Sequence, residues 1–306
     1  MFSYALKRIQ LGLVAIVIVS IFVFIAVRLS GDVSLMLVAT DATPEELAAV
    51  RHELGLDRPL AVQYGMFVER VFLHGDFGTS MRYGIPALDV VLGRLPATIQ
   101  LAGLAFALAL LAGVGFGVIA ALNRERAADK LLRSLAALGQ STPNFWIGMM
   151  LVLVFAVHFD WLPAGGRGSL GALVLPAITL AIPSIASILR ITRSAMIDAL
   201  GSESVNFLRI MGTPEHEIVW KHALRNALIP VIALAGIQLG VLVGGALIVE
   251  IVFSWPGLGT LMVDAINRRD YSLIQAAVFV TSTFLVFLNL MVDLLFGSID
   301  PRISYK

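Results

Sequence analysis

Six long apolar stretches divide the chain. Each lacks Asp, Glu, Lys and Arg, and each is close to or above the roughly 20 residues that a membrane-spanning helix needs. The stretches are Ile9–Val27, Ala97–Leu122, Ser134–Phe159, Gly168–Leu189, Asn226–Val249 and Tyr271–Val292. Their length and apolar character predict an all-α polytopic membrane protein with six transmembrane helices.

The connection after the first stretch is long enough to fold. Thr43 and Glu46 form a capping box at the start of one helix, and a second helix is predicted between Pro59 and Gly75. Pro86 then begins a short amphipathic segment. This outer region either shapes a vestibule or simply covers the spans. The apolar face of its first helix is predicted to contain Leu47, Val50 and Leu54.

The connection from Ser194 to Pro230, the elbow, predicts two short helices joined by a sharp corner. Gly212 occupies the position after the first helix, where glycine adopts a left-handed backbone without steric cost. Thr213 is predicted to cap the second helix and Pro214 to occupy its first position, where no amide hydrogen bond is lost. The elbow is either an ordinary loop or a docking element that passes a partner's motion to the flanking spans.

The composition excludes a soluble domain. Of the 306 residues, 58% are apolar and 14% are charged, with a mean hydropathy of +0.89. Soluble domains contain about 25% charged residues. The absence of cysteine excludes a disulfide framework and a thiolate metal or redox site. The first apolar stretch exceeds a signal-peptide core and no small-residue cleavage site follows it, so we expect it to be retained as a span.

The basic residues are distributed unevenly. Six spans place both termini on one side of the membrane, and the segments on that side contain 13 of the 22 basic residues in much less exposed chain. By the positive-inside rule, the elbow and both termini are therefore predicted to be cytoplasmic. The 13 residues are Lys7, Arg8, Arg124, Arg126, Lys130, Arg133, Arg190, Arg193, Arg209, Lys221, Arg225, Arg302 and Lys306.

Polar residues interrupt the third apolar stretch around Pro143. Such side chains are costly in lipid and face a bundle interior or water. They line a translocation pathway, or they form a polar contact between helices or a hydrated helix end. Near the end of the fifth span, Glu250 either lines the outer vestibule or pairs with an arginine. The candidate pathway residues are Gln140, Ser141, Thr142, Asn144, Gln238 and Glu250.

Small residues recur at four-residue spacing in two of the predicted spans. Gly113 and Gly117 lie in the second span, and Gly236, Gly240 and Gly244 lie in the fifth. This spacing lets helix backbones approach closely in lipid, where apolar burial alone does not drive association. We therefore expect close helix packing along both spans.

Several motifs resemble one family of membrane proteins along essentially the full chain. Gly212 is followed by HALRNALIP from His222 to Pro230, and the segment Val249–Gly259 is VEIVFSWPGLG. The outer region contains GLDRPLAVQY and GDFGTSMR, and DPRISY lies near the end. With these motifs the chain resembles the permeases of ABC importers, specifically the dipeptide/oligopeptide and nickel transport group.

The elbow departs from the pattern of that group in one run of residues. The group usually has Arg-Thr-Ala-Arg-Ala-Lys-Gly, whereas Asn206 to Gly212 is NFLRIMG here. Arg209 and Gly212 match the family pattern, and larger apolar side chains replace the small alanines. The resemblance therefore implies a coupling loop that is more apolar than usual.

The resemblance implies a type I ABC importer permease core with an extracytoplasmic insertion between helices 1 and 2. It divides the chain into an N-terminal transmembrane helix (1–29), an extracytoplasmic helical region (30–96), a five-helix core (97–296) and a cytoplasmic tail (297–306). The core contains a coupling loop, 194–229, which is implied to enter a cleft on a cytoplasmic ATPase. The implied coupling residues are Glu203, Asn206, Phe207, Arg209, Gly212, Thr213, Pro214, Glu215 and His222.

The resemblance also implies a location and partners. The chain is expected in a bacterial plasma (inner) membrane, with a homologous second permease, two ATP-binding subunits and an extracytoplasmic solute-binding protein. ATP and Mg are expected on the ATPase partners, and no cofactor is expected on this chain. Members of the family carry dipeptides, longer peptides, glutathione, opines or nickel, and we expect di- or oligopeptides here.

The sequence lacks the motifs of several other functions. It contains no Walker A pattern, no nucleophile elbow, no HExxH and no His and carboxylate cluster with metal spacing. We therefore expect no catalytic or metal site, and the lack of a basic surface domain predicts no nucleic-acid partner. An ion-coupled secondary transporter is the main alternative, but six spans without a central charge argue against it. A membrane scaffold that transports nothing is a third hypothesis.

Overall fold

The computed structural model describes residues 2–30, 43–53 and 55–299, and this part of the chain folds into helices joined by turns. A 3-10 turn, Leu170–Leu173, precedes the seventh helix. The sixth helix ends in a π-helical segment, Val152–His158, and the ninth contains another, Ile218–Ala223. The helices are α1 (Phe2–Ser30), α2 (Pro44–Glu53), α3 (Leu60–His74), α4 (Ala87–Leu122), α5 (Ala127–Ser141), α6 (Asn144–His158), α7 (Val174–Leu200), α8 (Glu203–Ile210), α9 (Glu215–Val252), α10 (Leu258–Asn267) and α11 (Tyr271–Ile299).

Five continuous helical segments of the described chain are long and apolar enough to cross a membrane, which confirms the all-α polytopic fold. They lie in α1, α4, α7, α9 and α11. The third predicted span differs, because α5 and α6 meet at an angle of 109°. The prediction of one helix over Ser134–Phe159 is therefore wrong. Six spans result if the bent pair crosses as one.

Pro143 explains the bend between α5 and α6. Proline has no amide hydrogen to donate and pushes the residue before it out of the helical region. Thr142 accordingly has φ −92° and ψ 131°, and Pro143 has φ −61° and ψ 137°. The helix stops at Ser141 and a new one begins at Asn144.

Helices α4, α7 and α9 form the core of one compact unit, built mainly from Pro96–Thr260. Many of the buried positions on α4 are alanines, which let neighbouring helices approach closely. Trp255, which follows α9, is also buried and donates its indole N–H to the carbonyl oxygen of Ala97 at 2.9 Å. The core includes Leu101, Ala105, Ala109, Leu180, Ile188, Leu242 and Ala246.

The glycine spacing predicted close packing correctly for the second span. A Cβ atom at Gly113 would lie 2.7 Å from the side chain of Ile188, and one at Gly117 would lie 2.9 Å from the carbonyl oxygen of Leu189. In the fifth span, Gly244 has no close neighbour within the described chain. A Cβ atom at Gly244 would meet no atom of the described chain within 4 Å.

The other compact unit contains Leu6–Leu95 and Leu261–Phe287. Phe24 of α1 contacts Tyr64 and Phe67 of α3, with ring centroids 5.5 and 5.7 Å apart. The buried carboxylate of Asp270 accepts hydrogen bonds from the Ser80 hydroxyl at 2.6 Å and from the amide of Leu273 at 3.2 Å. Asp270 thereby caps α11 and joins it to the turn after α3.

Two features of the outer region follow the predictions. The capping box is confirmed, because the Thr43 amide donates to Glu46 at 2.8 Å and the Glu46 amide donates to the Thr43 hydroxyl at 3.3 Å. Helix α3 begins after Pro59 and ends at Gly75, whose φ is 65°. The predicted apolar face of α2 cannot be followed to Val50 and Leu54, since the Val50 side chain and Leu54 lie outside the described residues.

The amphipathic segment predicted after Pro86 is helical and continuous with the second span. It forms the first turns of the 36-residue helix α4. Its buried residues include Ala87 and Val91. A proline just before the first turn starts a helix without interrupting it.

Candidate functional site: the elbow and the polar residues of the spans

The corner of the elbow is built on Gly212. Helix α8 begins where the Ser202 hydroxyl accepts a hydrogen bond from the Val205 amide, and it ends at Ile210. Gly212 has φ 81°. The Gly212 amide donates to the Arg209 carbonyl at 3.0 Å, and the Thr213 amide donates to the Leu208 carbonyl at 3.1 Å. These two bonds form a Schellman motif, so the predicted role of Gly212 in ending the helix is confirmed.

The second helix of the elbow starts one residue later than predicted. Pro214, with φ −61° and ψ 139°, occupies the cap position and forms no side-chain hydrogen bond, so the predicted cap at Thr213 is wrong. Glu215 is the first helical residue. The predicted separate short helix is also wrong, because α9 continues from Glu215 into the fifth span as far as Val252. The corner is therefore joined to a span without an intervening loop.

Arg209 connects three helices at the corner. Its guanidinium group donates to both carboxylate oxygens of Glu215, at 2.6 and 3.2 Å. It also donates to the Leu200 carbonyl at 3.2 Å and to the Asn206 side chain at 3.5 Å. The hydrogen bonds to Glu215 raise the pKa of Arg209 above its usual value, so Arg209 remains charged at physiological pH. The guanidinium group of Arg209 thus links the end of α7, helix α8 and the start of α9.

The elbow has apolar residues on both its buried face and its solvent-exposed face. Val205, Ile218 and Val219 are buried beneath it. On the solvent-exposed face, Ile210 is 83% exposed and Met211 is 67% exposed. Large exposed apolar residues on a polar connection are typical of an interaction surface. The exposed large apolar residues of the elbow are Phe207, Ile210, Met211 and Trp220.

The structure brings most of the predicted coupling residues together at this corner. Glu203, Asn206 and Phe207 lie on the exposed part of α8, and Thr213 is half-buried in the turn. His222 is half-buried further along, within the π-helical part of α9. Sequence reasoning did not single out Trp220, whose exposure is decided by the direction of α9 after the corner.

Two of the predicted polar residues contact the same face of α7. The amide of Gln140 in α5 donates to the Ser187 hydroxyl at 3.4 Å, and the amide of Gln238 in α9 donates to the Ser184 hydroxyl at 3.1 Å. Gln140 is exposed, whereas Gln238 and Ser184 are buried. The sequence analysis missed both serines, although their three-residue spacing after Pro183 was a signal for one polar face.

The other polar residues of the third stretch lie at the bend. The Thr142 hydroxyl donates to the Leu138 carbonyl at 2.7 Å and satisfies a backbone group at the helix end. Ser141 is exposed and Asn144 is half-buried. The bend therefore presents several polar groups at one point, and their place in a pathway stays a prediction.

Glu250 is enclosed in the protein. Its carboxylate accepts hydrogen bonds from the Thr98 hydroxyl and from the Gly259 amide, both at 2.6 Å. No arginine of the described chain pairs with it, so that alternative is wrong. A Cβ atom at Gly257 would collide with this carboxylate, which explains the glycine there. Glu250 fixes the Trp255–Gly259 turn, and a role in lining the pathway stays a prediction.

The described residues contain no group of three or more His, Cys, Asp or Glu side chains that could hold a metal ion. The described chain is characterised by the bent span, the closely packed helices and the elbow. Residues 113–305 match the family described as the inner membrane component of binding-protein-dependent transport systems. Residues 1–102 match the N-terminal region of such components. The chain belongs to this permease family.

Curated relatives support this assignment, and a solved structure has a similar fold. The chain is 41% identical to the glutathione transport system permease protein GsiC of Salmonella paratyphi A and 39% identical to that of Escherichia coli K12, over the full length of both chains. Its fold is similar to a chain of the methionine ABC transporter MetNI in an inward-facing conformation. That match has a TM-score of 0.58 and 18% identity, and it covers 69% of this chain and 96% of the other.

The permease is a transport component of the bacterial inner membrane. The predicted membership of the dipeptide, oligopeptide and nickel group of ABC importer permeases is confirmed. The permease is a multi-pass membrane protein and not an enzyme, and ATP hydrolysis belongs to other subunits of such systems.

Proposed function

We propose that the permease forms half of a translocation pathway for small peptides that a solute-binding protein delivers. A homologous second permease forms the other half, and two ATP-binding subunits bind ATP and Mg and hydrolyse the ATP. The relatives that are named for glutathione transport support a small peptide as cargo. Glutathione is itself a tripeptide, so the relatives and the peptide prediction agree on the chemical class.

The observation that carries this proposal is the construction of the elbow. Its outer surface exposes Phe207 and Ile210, which suit the apolar part of a cleft on an ATPase subunit. Arg209 ties α8 to the start of α9 and to the end of α7. Because α9 runs from the corner into the membrane, a displacement of the elbow moves a spanning helix directly.

The proposed mechanism is a shift between two conformations. Closure of the ATPase subunits on ATP favours an outward-open arrangement of the spans, and hydrolysis restores the inward-open one. A ligand shifts such an equilibrium only through contacts that differ between the two states. The elbow provides these contacts through Glu203, Asn206, Phe207, Arg209, Gly212, Thr213, Pro214, Glu215 and His222.

The pathway is proposed to follow the polar residues of α5, α6, α7 and α9. The amides of Gln140 and Gln238 and the hydroxyls of Ser184 and Ser187 donate and accept hydrogen bonds, as peptide groups require. Ser141, Thr142 and Asn144 extend this set at the bend. Glu250 completes it in a conformation where the Trp255–Gly259 turn has moved away.

The second permease is proposed to contact α9. Ile237, Val241 and Ile248 are exposed along one side of this helix, at spacings of four and seven residues. Gly244 lies on the same side and has open space beside it. Small residues next to larger apolar ones suit close contact between membrane helices.

The proposed topology places both termini and the elbow in the cytoplasm. Residues 30–96 then face the solute-binding protein, and residues 97–296 form the core that includes the coupling loop 194–229. The excess of basic residues on the elbow side supports this orientation.

The test is ATP hydrolysis by the reconstituted complex with and without the loaded solute-binding protein. Arg209→Gln removes the contact between three helices, and we expect roughly a fivefold loss of the stimulation, corresponding to about 1 kcal/mol. Lys221→Gln is the matched control, because it removes an exposed pair with Glu217 within one helix. Equal stimulation in the wild type and in Arg209→Gln would contradict the proposed role of the elbow.

A further inference from the structure

A wide basic pocket lies beside α5 and the end of α7. Its volume is about 1020 Å³, and five of its ten lining residues are basic while one is acidic. The turn after α4 closes one side of it. The lining residues are Arg124, Glu125, Lys130, Arg133, Ser134, Ala137, Arg190, Arg193, Ser194 and Ile197.

Most of the cations in this pocket form no ion pair with a described residue. Arg124, Lys130, Arg133 and Arg190 are exposed, and none of them forms an ion pair or a side-chain hydrogen bond with another described residue. Only Arg193 is paired, with Asp129. Cations held close together around a concave surface attract anions strongly, because their potentials add.

A buried carboxylate holds the floor of the pocket in place. Asp129 is fully buried and accepts hydrogen bonds from Arg193 at 2.6 and 2.7 Å. It also accepts a hydrogen bond at 2.9 Å from the amide of Glu125, whose φ is 63°. Asp129 therefore fixes both the turn that carries Arg124 and the side chain of Arg193. The positive-inside rule accounts for basic residues on the cytoplasmic side. It does not account for a cavity whose floor is held in place by a buried carboxylate.

The pocket adjoins the polar face of α5 and α7. Ala137 and Ser134 precede Gln140 by about one and two helical turns on α5, and Arg190 follows Ser187 by about one turn on α7. The apolar part of the α7 span ends at Leu189. The pocket therefore lies beside the end of the apolar part of α7, next to the hydrogen-bonded pair Gln140 and Ser187.

We propose that this pocket binds an oxyanion, a phosphate or a carboxylate group. Guanidinium groups match both anions with paired hydrogen bonds, and the hydroxyls of Ser134 and Ser194 add neutral donors. The phosphate of an anionic lipid headgroup and a soluble carboxylate or phosphate present the same chemistry here. The site rests on the proposed function only for its assignment to the cytoplasmic side.

The experiment measures binding to the permease purified together with its copurifying subunits. In one arm, nanodiscs contain phosphatidylcholine alone, and binding of radiolabelled inorganic phosphate and of succinate is measured. In the other arm, nanodiscs also contain phosphatidylglycerol, and native mass spectrometry counts the lipids that stay bound. Arg133→Gln is compared with Arg126→Gln, which removes an equal charge next to the pocket but not in its lining.

We expect Arg133→Gln to weaken binding about tenfold in the arm that detects the ligand, as the loss of a charge-assisted hydrogen bond predicts. Arg126→Gln should bind like the wild type. Arg133→Lys should bind more weakly than the wild type but more tightly than Arg133→Gln, because it keeps the charge and loses the paired hydrogen bonds. Retained phosphatidylglycerol identifies a lipid source, and bound phosphate or succinate identifies a soluble one.

Equal binding by the wild type and by Arg133→Gln in both arms would overturn the proposal. The same holds if Arg126→Gln weakens binding as much as Arg133→Gln, because the effect is then general electrostatics. Neither arm requires transport, so failure of the pocket leaves the proposed function standing. If the wild-type complex binds the anion but does not transport, the result counts against the proposed function alone.

Discussion

Single residues decide how closely the spans pack. Gly117 of α4 lies against Thr192 and the backbone of α7, so that even one methyl group would collide with its neighbours. Gly115, two residues earlier in the same helix, has open space beside it. The two glycines therefore differ in packing although they share one span.

Gly117→Ala should destabilise the permease by about 1–3 kcal/mol, because an extra methyl group in a packed contact forces the helices apart. Gly115→Ala is the control, and we expect it to leave stability unchanged or to raise it slightly, since alanine favours a helix. Thermal unfolding of the purified complex measures both. Equal destabilisation by the two substitutions would mean that the α4–α7 contact is not as close as described.

The residues that were predicted correctly depend on short-range rules. The Thr43–Glu46 capping box spans one helical turn, so the sequence alone contains all of its partners. Glu250 and Thr98 lie 152 residues apart, and Gln238 and Ser184 lie 54 apart. Their contacts depend on how α4, α7 and α9 pack, which no local pattern contains.

At the scale of the helical elements, the corner of the elbow depends on the backbone conformation of Gly212. Gly212 ends α8 in the left-handed region with nothing within 4 Å of a Cβ atom, so the cost of another residue there is purely conformational. Gly201, at the other end of the same short segment, has φ −88°. An alanine fits that backbone without strain.

Gly212→Ala should open the elbow more often, because a left-handed backbone costs an alanine about 1–2 kcal/mol. We expect trypsin to cleave the elbow about 5–30-fold faster in the native complex, the factor that this free energy predicts. Gly201→Ala is the matched control and should be cleaved at the wild-type rate. If both variants resist trypsin like the wild type, the corner does not depend on the left-handed glycine.

The boundaries of the elements were harder to predict than their existence. The sequence indicated a corner at Gly212, but the next helix starts after Pro214 and then continues into the fifth span. Polar residues were predicted to interrupt the third stretch around Pro143, whereas no local pattern contains the angle of 109° at which α5 and α6 meet. The segment after Pro86 joins α4 although Pro96 lies inside that helix, so the sequence indicated a boundary where the helix continues.

At the scale of the whole molecule, the account depends on the side of the membrane that the elbow faces. The chain contains no cysteine, so a single introduced cysteine reports its own accessibility. Phe207 in the elbow and Leu73 in the outer region are both exposed, by 61% and 73%. In the proposed topology they lie on opposite sides of the membrane, so they form a matched pair for labelling.

A maleimide that cannot cross membranes should label Leu73→Cys in intact spheroplasts and should label Phe207→Cys only after permeabilisation. The positive-inside rule is the physical reason for this orientation. Both variants should be labelled equally in detergent, which controls for reactivity. Labelling of Phe207→Cys in intact spheroplasts would reverse the topology and separate the elbow from any cytoplasmic ATPase.

The most direct test of the central claim is uptake of labelled glutathione by proteoliposomes that contain the complete complex and the solute-binding protein. The account predicts uptake when ATP reaches the ATPase subunits, and none when a proton or sodium gradient is the only source of energy. Uptake by the permease alone, driven by such a gradient, would contradict it.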